Sequence, residues 1–383
     1  MKNVLISGAG IAGPALAHWL AAAGCTVTVV ERAPAPRPGG QAVDFKGEAH
    51  LKVLERMGVL DDIRRLQTGG TDQTIIDAEG RTLGTIPGEF TGGTVEIHRG
   101  DLATLLHDHT ADRAEYIFGD TITSLTQTDD GVHTTFHHTP PRTFDLVVGA
   151  DGIHSTVRRL AFGPEKDFVE FLGHYYALAD IELDSDPVMY NEPGRMVAIG
   201  GPKSPAFLVF ASPELEYDRY DVEQHKQIVA RAYRGGGWRI PELLDRLPHT
   251  ENLYLDTISR VHVPTYSRGR VVLLGDSAYG NTLGGFGSGF AVVGAYVLAG
   301  ELLAAGDDHR TAFTRYESLF RGYTKVAAKA NAGPFLAPPT RARMAMRNWM
   351  FRSPLMLKLM LKSTDWFATS IDLPDYTFTP TPA

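Results

Sequence analysis

Residues Val4–Gly13 have the sequence VLISGAGIAG, an apolar run that passes directly into three closely spaced glycines. Such a run is typical of a buried parallel strand, and the Ala- and Leu-rich stretch Ile11–Ala23 is typical of a helix. Pro14 falls in the first turn of this helix, where its missing N–H costs little. Val27–Val30 is a second strand of β-branched residues. The stretch therefore predicts a strand–helix–strand unit of a parallel sheet.

The three glycines have the spacing G-x-G-x-x-G, and each has its own role. Gly8 permits the tight turn, Gly10 lets a pyrophosphate approach the backbone, and Gly13 lets the helix pack closely on the strand. The free N–H groups at the helix start then face the phosphates. Glu31, at the end of the second strand, can accept hydrogen bonds from an adenosine ribose, and its charge disfavours the 2′-phosphate of NADP. The pattern predicts a site for NAD or FAD.

Two later strand ends favour the longer of these molecules. Val147–Arg158 contains a strand that ends at an Asp-Gly pair and enters a basic helix, and Val271–Ala278 contains a strand that ends at Gly275-Asp276. Asp276 can bond a ribityl hydroxyl, and the N–H groups of Gly285–Gly289 can bond the polar edge of an isoalloxazine. A simple NAD dehydrogenase does not need this third element, so the pattern favours FAD.

The three motifs, in this order, resemble those of the group A flavoprotein monooxygenases, the p-hydroxybenzoate-hydroxylase-like family, over about residues 1–325. The stretches Gly39–Asp44 and Gly294–Gly300 are most similar to antibiotic-tailoring and tetracycline-inactivating members. With the resemblance taken into account, the predicted cofactor-binding residues are Gly8, Gly10, Ile11, Ala12, Gly13, Glu31, Arg32, Gln41, Arg99, Asp151, Arg158, Gly275, Asp276, Gly285, Phe286, Gly287, Ser288 and Gly289.

The resemblance also implies an activity. NADH or NADPH, bound transiently, reduces FAD, and the reduced flavin and O2 form a C4a-hydroperoxide that hydroxylates an aromatic or polycyclic small molecule. The cofactor supplies this chemistry, so no catalytic side chain is assigned. One loop departs from the family pattern: Tyr279 stands where the family usually has histidine, and no proline lies between Tyr279 and Gly285.

The predicted fold class is α/β, with a Rossmann-like FAD-binding domain and an inserted, mostly antiparallel substrate sheet. The FAD-binding domain is expected in residues 1–72, 95–166 and 265–330, the substrate domain in 73–94 and 167–264, and a C-terminal helical bridge in 331–383. Alternating aromatic runs supply the candidate substrate wall. Neighbouring strand residues point to opposite faces, so these candidates cannot all line one cavity. They are His174, Tyr176, Arg195, Phe207 and Phe210.

Composition limits the remaining classes. Lys and Arg number 37 against 45 Asp and Glu, a net charge of −8 spread along the chain, which is not a nucleic-acid footprint. Cys25 is the single cysteine, which favours a reducing cytoplasm. Gly289–Gly306 is short for a bilayer span and contains Glu301, so we expect a buried helix there. His133, His137 and His138 lack nearby carboxylates, so no metal site is expected.

Two alternatives stay open. The altered loop after Asp276 is compatible with an FAD-binding protein that has lost oxygenation and carries a ligand. The basic, Met-rich tail Pro334–Leu361 is compatible with a peripheral-membrane hydroxylase of quinone-like lipids. A helix that bridges the two domains is the preferred interpretation of the tail, with methionines filling irregular gaps, and membrane contact is the less favoured one. The sequence does not indicate an oligomeric state.

Overall fold

The computed structural model describes residues 2–36, 41–88, 93–201, 204–325, 330–360 and 371–378. A six-stranded sheet forms the first layer, and its strands are parallel except at one edge, where the first two strands in the order pair antiparallel. In spatial order the strands are β17 (Ser267–Arg268), β18 (Val271–Leu273), β11 (Leu146–Gly149), β1 (Asn3–Ser7), β2 (Thr26–Glu31) and β7 (Glu115–Phe118).

A seven-stranded sheet forms the second layer. Its strands pair antiparallel, except for one parallel contact between β13 and β4. The order is β16 (Leu253–Val261), β12 (Val169–Ala179), β15 (Ser204–Ala211), β14 (Arg195–Gly201), β13 (Val188–Glu192), β4 (Gln73–Ile76) and β5 (Thr82–Ile86). The predicted α/β class with a second, mostly antiparallel sheet is thus confirmed.

Two small sheets complete the strands: β8 (Ile122–Gln127), β9 (Val132–Phe136) and β10 (Arg142–Phe144), and the pair β3 (Ala42–Phe45) and β6 (Val95–His98). The α-helices are α1 (Ala12–Ala22), α2 (Glu48–Arg56), α3 (Leu60–Arg65), α4 (Arg99–Asp108), α5 (Thr156–Ala161), α6 (Val222–Tyr233), α7 (Ile240–Arg246), α8 (Asp276–Tyr279), α9 (Gly287–Ala304), α10 (His309–Thr324), α11 (Gly333–Leu336) and α12 (Arg341–Arg352). Asp101 lies in the first turn of α4 and does not cap it, because the helix already begins at Arg99.

Helix α9 runs through the core of the first layer beside α1. It is the one described helix that is long and apolar enough to cross a membrane, and 78% of it is buried inside the protein. Its sequence is apolar on all sides because it has protein on all sides. The expectation of a buried core helix here is confirmed.

The C-terminal part of the chain contacts both layers. Helix α12 packs on β5 of the seven-stranded sheet. Residues 371–378 lie on the helices of the first layer, where the ring of Phe378 is 4.4 Å from that of Trp19 and Tyr376 Oη donates to Glu301 Oε1 at 2.6 Å. The predicted bridge, 331–383, also includes residues 361–370 and 379–383, which lie outside the described residues, as do Gly39 and Gly40.

Candidate functional site

The carboxyl ends of the parallel strands open into a cavity of about 1100 Å³, and the seven-stranded sheet forms its opposite wall. Ligands bind at this edge of parallel sheets because the following loops and helix starts converge there. Fourteen of the predicted cofactor-binding residues line the cavity: Gly8, Gly10, Ile11, Ala12, Glu31, Arg32, Gln41, Arg99, Asp151, Asp276, Gly285, Phe286, Gly287 and Ser288. The other four, Gly13, Arg158, Gly275 and Gly289, lie behind this surface.

The three glycines of the first turn have two different roles, close packing of the backbone and access for a ligand. Gly8 has φ +107°, and a Cβ there would lie 2.5 Å from the carbonyl oxygen of Ala150. A Cβ on Gly13 would lie 1.9 Å from the carbonyl oxygen of Gly8. At Gly10, by contrast, the nearest atom to an added Cβ is Nη2 of Arg99, 3.9 Å away. Gly8 and Gly13 are therefore needed by the fold, while Gly10 keeps its backbone open to the cavity.

Glu31 is held rigidly at the end of β2. Its Oε2 accepts the Ala9 N–H and its Oε1 accepts the Ala33 N–H, both at 2.8 Å. Each oxygen keeps a lone pair that can accept from a ligand hydroxyl. Arg32 follows it, and its guanidinium lies 5.1 Å from the ring centre of Tyr220, a residue from the loop before α6. This end of the cavity thus combines an acidic acceptor with a contact between the two layers.

Arg99 and Asp276 both line the cavity, and they are close enough to interact electrostatically. The Arg99 N–H donates to the Gln41 carbonyl at 3.0 Å, which joins the start of α4 to the start of β3. Enclosure by the surrounding protein raises the pKa of Asp276, and the positive charge of Arg99 opposes that rise. Placed beside Gly10, the guanidinium suits a pyrophosphate, and the carboxylate suits a ribityl hydroxyl.

The loop after α8 differs from the family pattern in a way that the structure explains. Tyr279 does not line the cavity: its ring packs 4.7 Å from that of Phe320, and its hydroxyl donates to the Phe290 carbonyl at 3.3 Å. Leu283 has φ +58°, a conformation that costs a non-glycine residue about 1 kcal/mol or more, and Gly285 has φ +88°. The loop therefore turns tightly and presents residues 285–288 to the cavity.

Gly289 faces away from the cavity. A Cβ there would lie 2.1 Å from Cε1 of His50, so the ring packs directly on the start of α9. His50 is buried, and burial lowers its pKa to about 4. Neither ring nitrogen has a hydrogen-bond partner in the described part of the chain. Gly289 therefore makes room for a neutral histidine rather than for the ligand, and sequence reasoning missed this contact.

Arg158 is fully buried and makes no contact with the cavity. Its Nη1 donates to the Ser277 carbonyl at 2.9 Å and its Nη2 to the Ile153 carbonyl at 2.5 Å. It therefore joins the Asp-Gly turn to the Gly-Asp turn and positions both. Arg158 was expected to contact the cofactor directly. In the structure its side chain points into the interior and supports the two turns instead. Asp151 lines the cavity and accepts the Val157 N–H at 3.1 Å.

A charged cluster that the sequence did not reveal lies on the cavity wall. His154 Nε2 is 3.0 Å from Asp256 Oδ1 on β16, and His154 Nδ1 is 3.0 Å from Glu165 Oε1. Burial alone would lower the pKa of His154, but the hydrogen bonds that its ring donates to both carboxylates, and their negative charges, raise it to about 9. Tyr254 Oη donates to Asp256 Oδ2 at 2.7 Å. The cluster joins the first layer to the second.

The candidate substrate-wall residues lie on both faces of the seven-stranded sheet, and only one face lines the cavity. Tyr176 and Phe207 line the cavity, as do neighbouring apolar side chains. Phe210 lies on the opposite face, with its ring 5.5 Å from that of Tyr175 in a separate core. Arg195 is also absent from the cavity wall and pairs with Glu192 at 2.5 Å. The further apolar residues of the wall include Ile86, Leu178, Met189, Ala198, Phe335 and Leu336.

His174 does not line the cavity either. It is buried against the start of α11, and a Cβ on Gly333 would lie 2.4 Å from its Nδ1. The register shift between β12 and β16 falls between Phe171 and His174, and the pairing is regular from His174 to Tyr176, so these two side chains share a face of the sheet. His174 is therefore kept out of the cavity wall by its contact with α11 at Gly333, while Tyr176 on the same face lines the cavity.

The residues present fit an elongated dinucleotide. Backbone lies open at Gly10 for a pyrophosphate, and hydroxyl acceptors stand at two separate points, Glu31 and Asp276. The starts of α1 and α9 both face the same cavity, so each can favour negative charge on a ligand. The apolar wall of the second sheet lines the same cavity as residues 285–288.

Comparison with known proteins agrees with this geometry. Residues 1–318 match the family described as FAD binding domain. The chain is 40% identical over 340 residues to an uncharacterized protein of Mycobacterium tuberculosis, which covers 85% of this chain and 91% of that protein. It is 34% identical over 345 residues to a flavin-dependent monooxygenase of Legionella longbeachae, which covers 85% of this chain and 87% of the relative.

Solved structures give the same result for the fold. The tetracycline destructase Tet(55) superposes with a TM-score of 0.82 at 31% identity, and Tet(51) with a TM-score of 0.81 at 28% identity. Each alignment covers 98% of this chain and 99% of the neighbour. HpxO of Klebsiella pneumoniae, solved with FAD and uric acid, shares the fold at 20% identity and a TM-score of 0.71, with 97% of this chain and 98% of that chain covered.

Proposed function

Since the chain belongs to the FAD binding domain family, and within it to the group A flavin-dependent monooxygenases, we propose that it uses NADH or NADPH and O2 to hydroxylate an aromatic or polycyclic small molecule. The similarity to two tetracycline destructases favours a polycyclic substrate. Oxygenation through C4a of the flavin is part of the proposal. A cytoplasmic location is proposed on the single cysteine.

One observation carries the proposal: a single cavity holds both the dinucleotide-binding elements and the apolar face of the second sheet. When bound, FAD supplies hydride acceptance and the activation of dioxygen, which protein side chains alone cannot supply. A substrate on Tyr176 and Phe207 would then share the cavity with residues 285–288, where the polar edge of the flavin is expected.

The chain's own residues bind and orient. Glu31 accepts from the adenosine ribose, and the backbone at Gly10 with Arg99 holds the pyrophosphate. Asp276 orients the ribityl chain. The N–H groups at the start of α9 stabilise negative charge on the polar edge of the ring system. The aromatic and aliphatic wall excludes water, which protects the oxygenating species from unproductive breakdown.

The test begins with the purified protein and its absorbance spectrum, where a bound or bindable flavin is expected. NADH and NADPH oxidation is then followed with a panel of aromatic and polycyclic compounds, and product masses are measured. We expect one compound class to accelerate coenzyme oxidation and to gain one oxygen atom. The Gly10→Ala variant, which should fold but bind FAD weakly, is the matched control.

Two results would count against the proposal. Absence of flavin binding would remove its basis. Coenzyme oxidation that no compound accelerates, without any oxygenated product, would favour the ligand-carrier alternative. The tight turn at Leu283 and the packing of the half-buried Tyr279 on Phe320 are the structural observations behind that alternative.

A further inference from the structure

Helix α12 is fixed to the seven-stranded sheet through one face. Phe351 packs with Phe335, their ring centres 6.0 Å apart. Arg347 is 4% exposed, and its Nη2 donates to Asn191 Oδ1 on β13 at 2.7 Å. Burial lowers the pKa of Arg347 to about 10, and its Nη1 donates to the Leu336 carbonyl at 3.2 Å. These contacts set the rotation of the helix, so its outward face is defined.

The outward face is unusually apolar. Met346 and Trp349 are each 60% exposed. The helical residues that follow, 354–360, add Leu355 at 69% and Leu359 at 54%. Four of the seven large apolar side chains exposed in the described part of the chain thus lie within residues 346–359. Scattered exposed apolar residues are ordinary, but a concentration of them marks an interaction surface.

Positive charge surrounds this apolar strip. At 3.6 residues per turn, Met346 and Trp349 lie within about 60° of each other on the helix, with Arg341 and Arg352 on one side and Arg343 on the other. Lys358 extends the pattern beyond the helix, and these four cations are exposed. None of them forms an ion pair with another described residue.

The charge of the segment opposes that of the whole chain. Residues 331–360 contain four arginines and one lysine but no Asp or Glu, whereas the chain carries a net charge of −8. An anionic surface would therefore attract this segment and repel the rest of the chain, which orients the protein with this face toward the surface. An apolar centre containing tryptophan, bordered by basic side chains, is the arrangement of helices that lie in a membrane interface.

We propose that the outward face of residues 341–360 docks on the surface of a membrane that contains anionic lipids. Trp349, Met346, Leu355 and Leu359 would enter the boundary between headgroups and acyl chains, while the four cations contact lipid phosphates. A second copy of the chain fits less well, because a two-fold contact would bring the same cations together. A nucleic acid would leave the apolar centre without a partner.

The position of the surface suits an apolar substrate, although the docking itself does not rest on the proposed function. Helix α11 precedes α12, and its Phe335 and Leu336 line the cavity. A compound dissolved in the bilayer would therefore meet the protein close to the apolar wall of the site.

The test is co-sedimentation of the full chain with vesicles of phosphatidylcholine alone and of phosphatidylcholine mixed with phosphatidylglycerol. We expect binding to the mixed vesicles only, and weaker binding at high salt. The double variant Trp349→Ser/Leu355→Ser and the triple variant Arg341→Glu/Arg343→Glu/Lys358→Glu should each bind at least tenfold more weakly. Leu66→Ser, which removes an exposed leucine elsewhere, is the control and should bind as the parent does.

All variants should keep the parent's melting temperature and FAD binding, because the changed side chains are exposed. The proposal is overturned if the parent does not sediment with anionic vesicles, or if both multiple variants sediment as the parent does. It is also overturned if the parent is a dimer in solution and the Trp349→Ser/Leu355→Ser variant is a monomer, since the apolar strip would then be a contact between copies.

Discussion

His154 Nε2 lies 3.0 Å from Asp256 Oδ1, so a side chain that follows the central parallel strand β11 is bonded to one on the first strand of the second sheet. Glu165 bonds the other ring nitrogen, and Arg219 Nη2 donates to Glu165 Oε1 at 3.1 Å. An imidazolium is the form that donates to both carboxylates at once. The junction between the layers is therefore ionic on this side of the cavity.

The first prediction concerns pH. The pKa of His154 in the folded protein is raised from its usual 6.5 to about 9. Its contribution to stability is therefore complete below pH 6.5 and is lost as the pH rises through 9, about 3 kcal/mol in total. Thermal unfolding midpoints measured from pH 6 to 9.5 should fall, and the His154→Gln variant should show a smaller fall. His262→Gln, at an exposed histidine, is the control and should behave as the parent does.

The second prediction is that Gly13 is needed for stability and Gly10 for FAD binding. Gly13→Ala places a methyl group 1.9 Å from a backbone oxygen and should destabilise the protein by about 3 kcal/mol or more. Gly10→Ala meets nothing closer than 3.9 Å and should leave the melting temperature of the flavin-free protein unchanged. Because its methyl group stands where the pyrophosphate must approach, FAD affinity should fall about tenfold or more. Equal losses of stability in the two variants would contradict this assignment.

The third prediction tests Arg99. Replacing it by Gln removes a charge-assisted contact with the pyrophosphate and should weaken FAD binding by about tenfold to a hundredfold, measured by flavin fluorescence titration. Arg159→Gln removes an equal charge from the exposed side of α5 and serves as the control. If both variants bind FAD equally well, Arg99 does not contact the cofactor.

The fourth prediction compares two phenylalanines on β15. Phe210→Ala removes a ring from the core behind the sheet and should cost about 3–5 kcal/mol, with little change in substrate KM at temperatures where the variant is folded. Phe207→Ala should cost less than about 1.5 kcal/mol but raise the KM of the substrate identified in the coenzyme-oxidation screen. Urea unfolding and steady-state kinetics separate the two effects, and the reverse pattern would place the substrate on the other face.

Local patterns predicted the fold because they act over a few residues. The turn at Gly8, the strand ends and the buried helix α9 each follow from neighbouring side chains, and the structure agrees with them. Alternation along a strand indicates that the candidate residues cannot all line one cavity, and Phe207 and Phe210 do lie on opposite faces. Which face carries the cavity depends on how the sheet packs, and alternation does not contain that information.

Contacts between distant residues are what the sequence could not supply. His154 and Asp256 are separated by 102 positions, and their meeting depends on the placement of β16 against the first layer. Arg158 shows a related limit: an arginine next to an Asp-Gly pair suggests a ligand contact, and only its full burial shows that it bonds two carbonyl groups instead.

The chain passes back and forth between the two layers, and its last described residues, Tyr376 and Phe378, return to the helices of the first. A hinge motion that separates the two layers would have to bend all of these connections at the same time. Phe335 and Leu336 of α11 line the cavity, and α12, which follows, packs on β5, so the wall of the site runs directly into the C-terminal part of the chain.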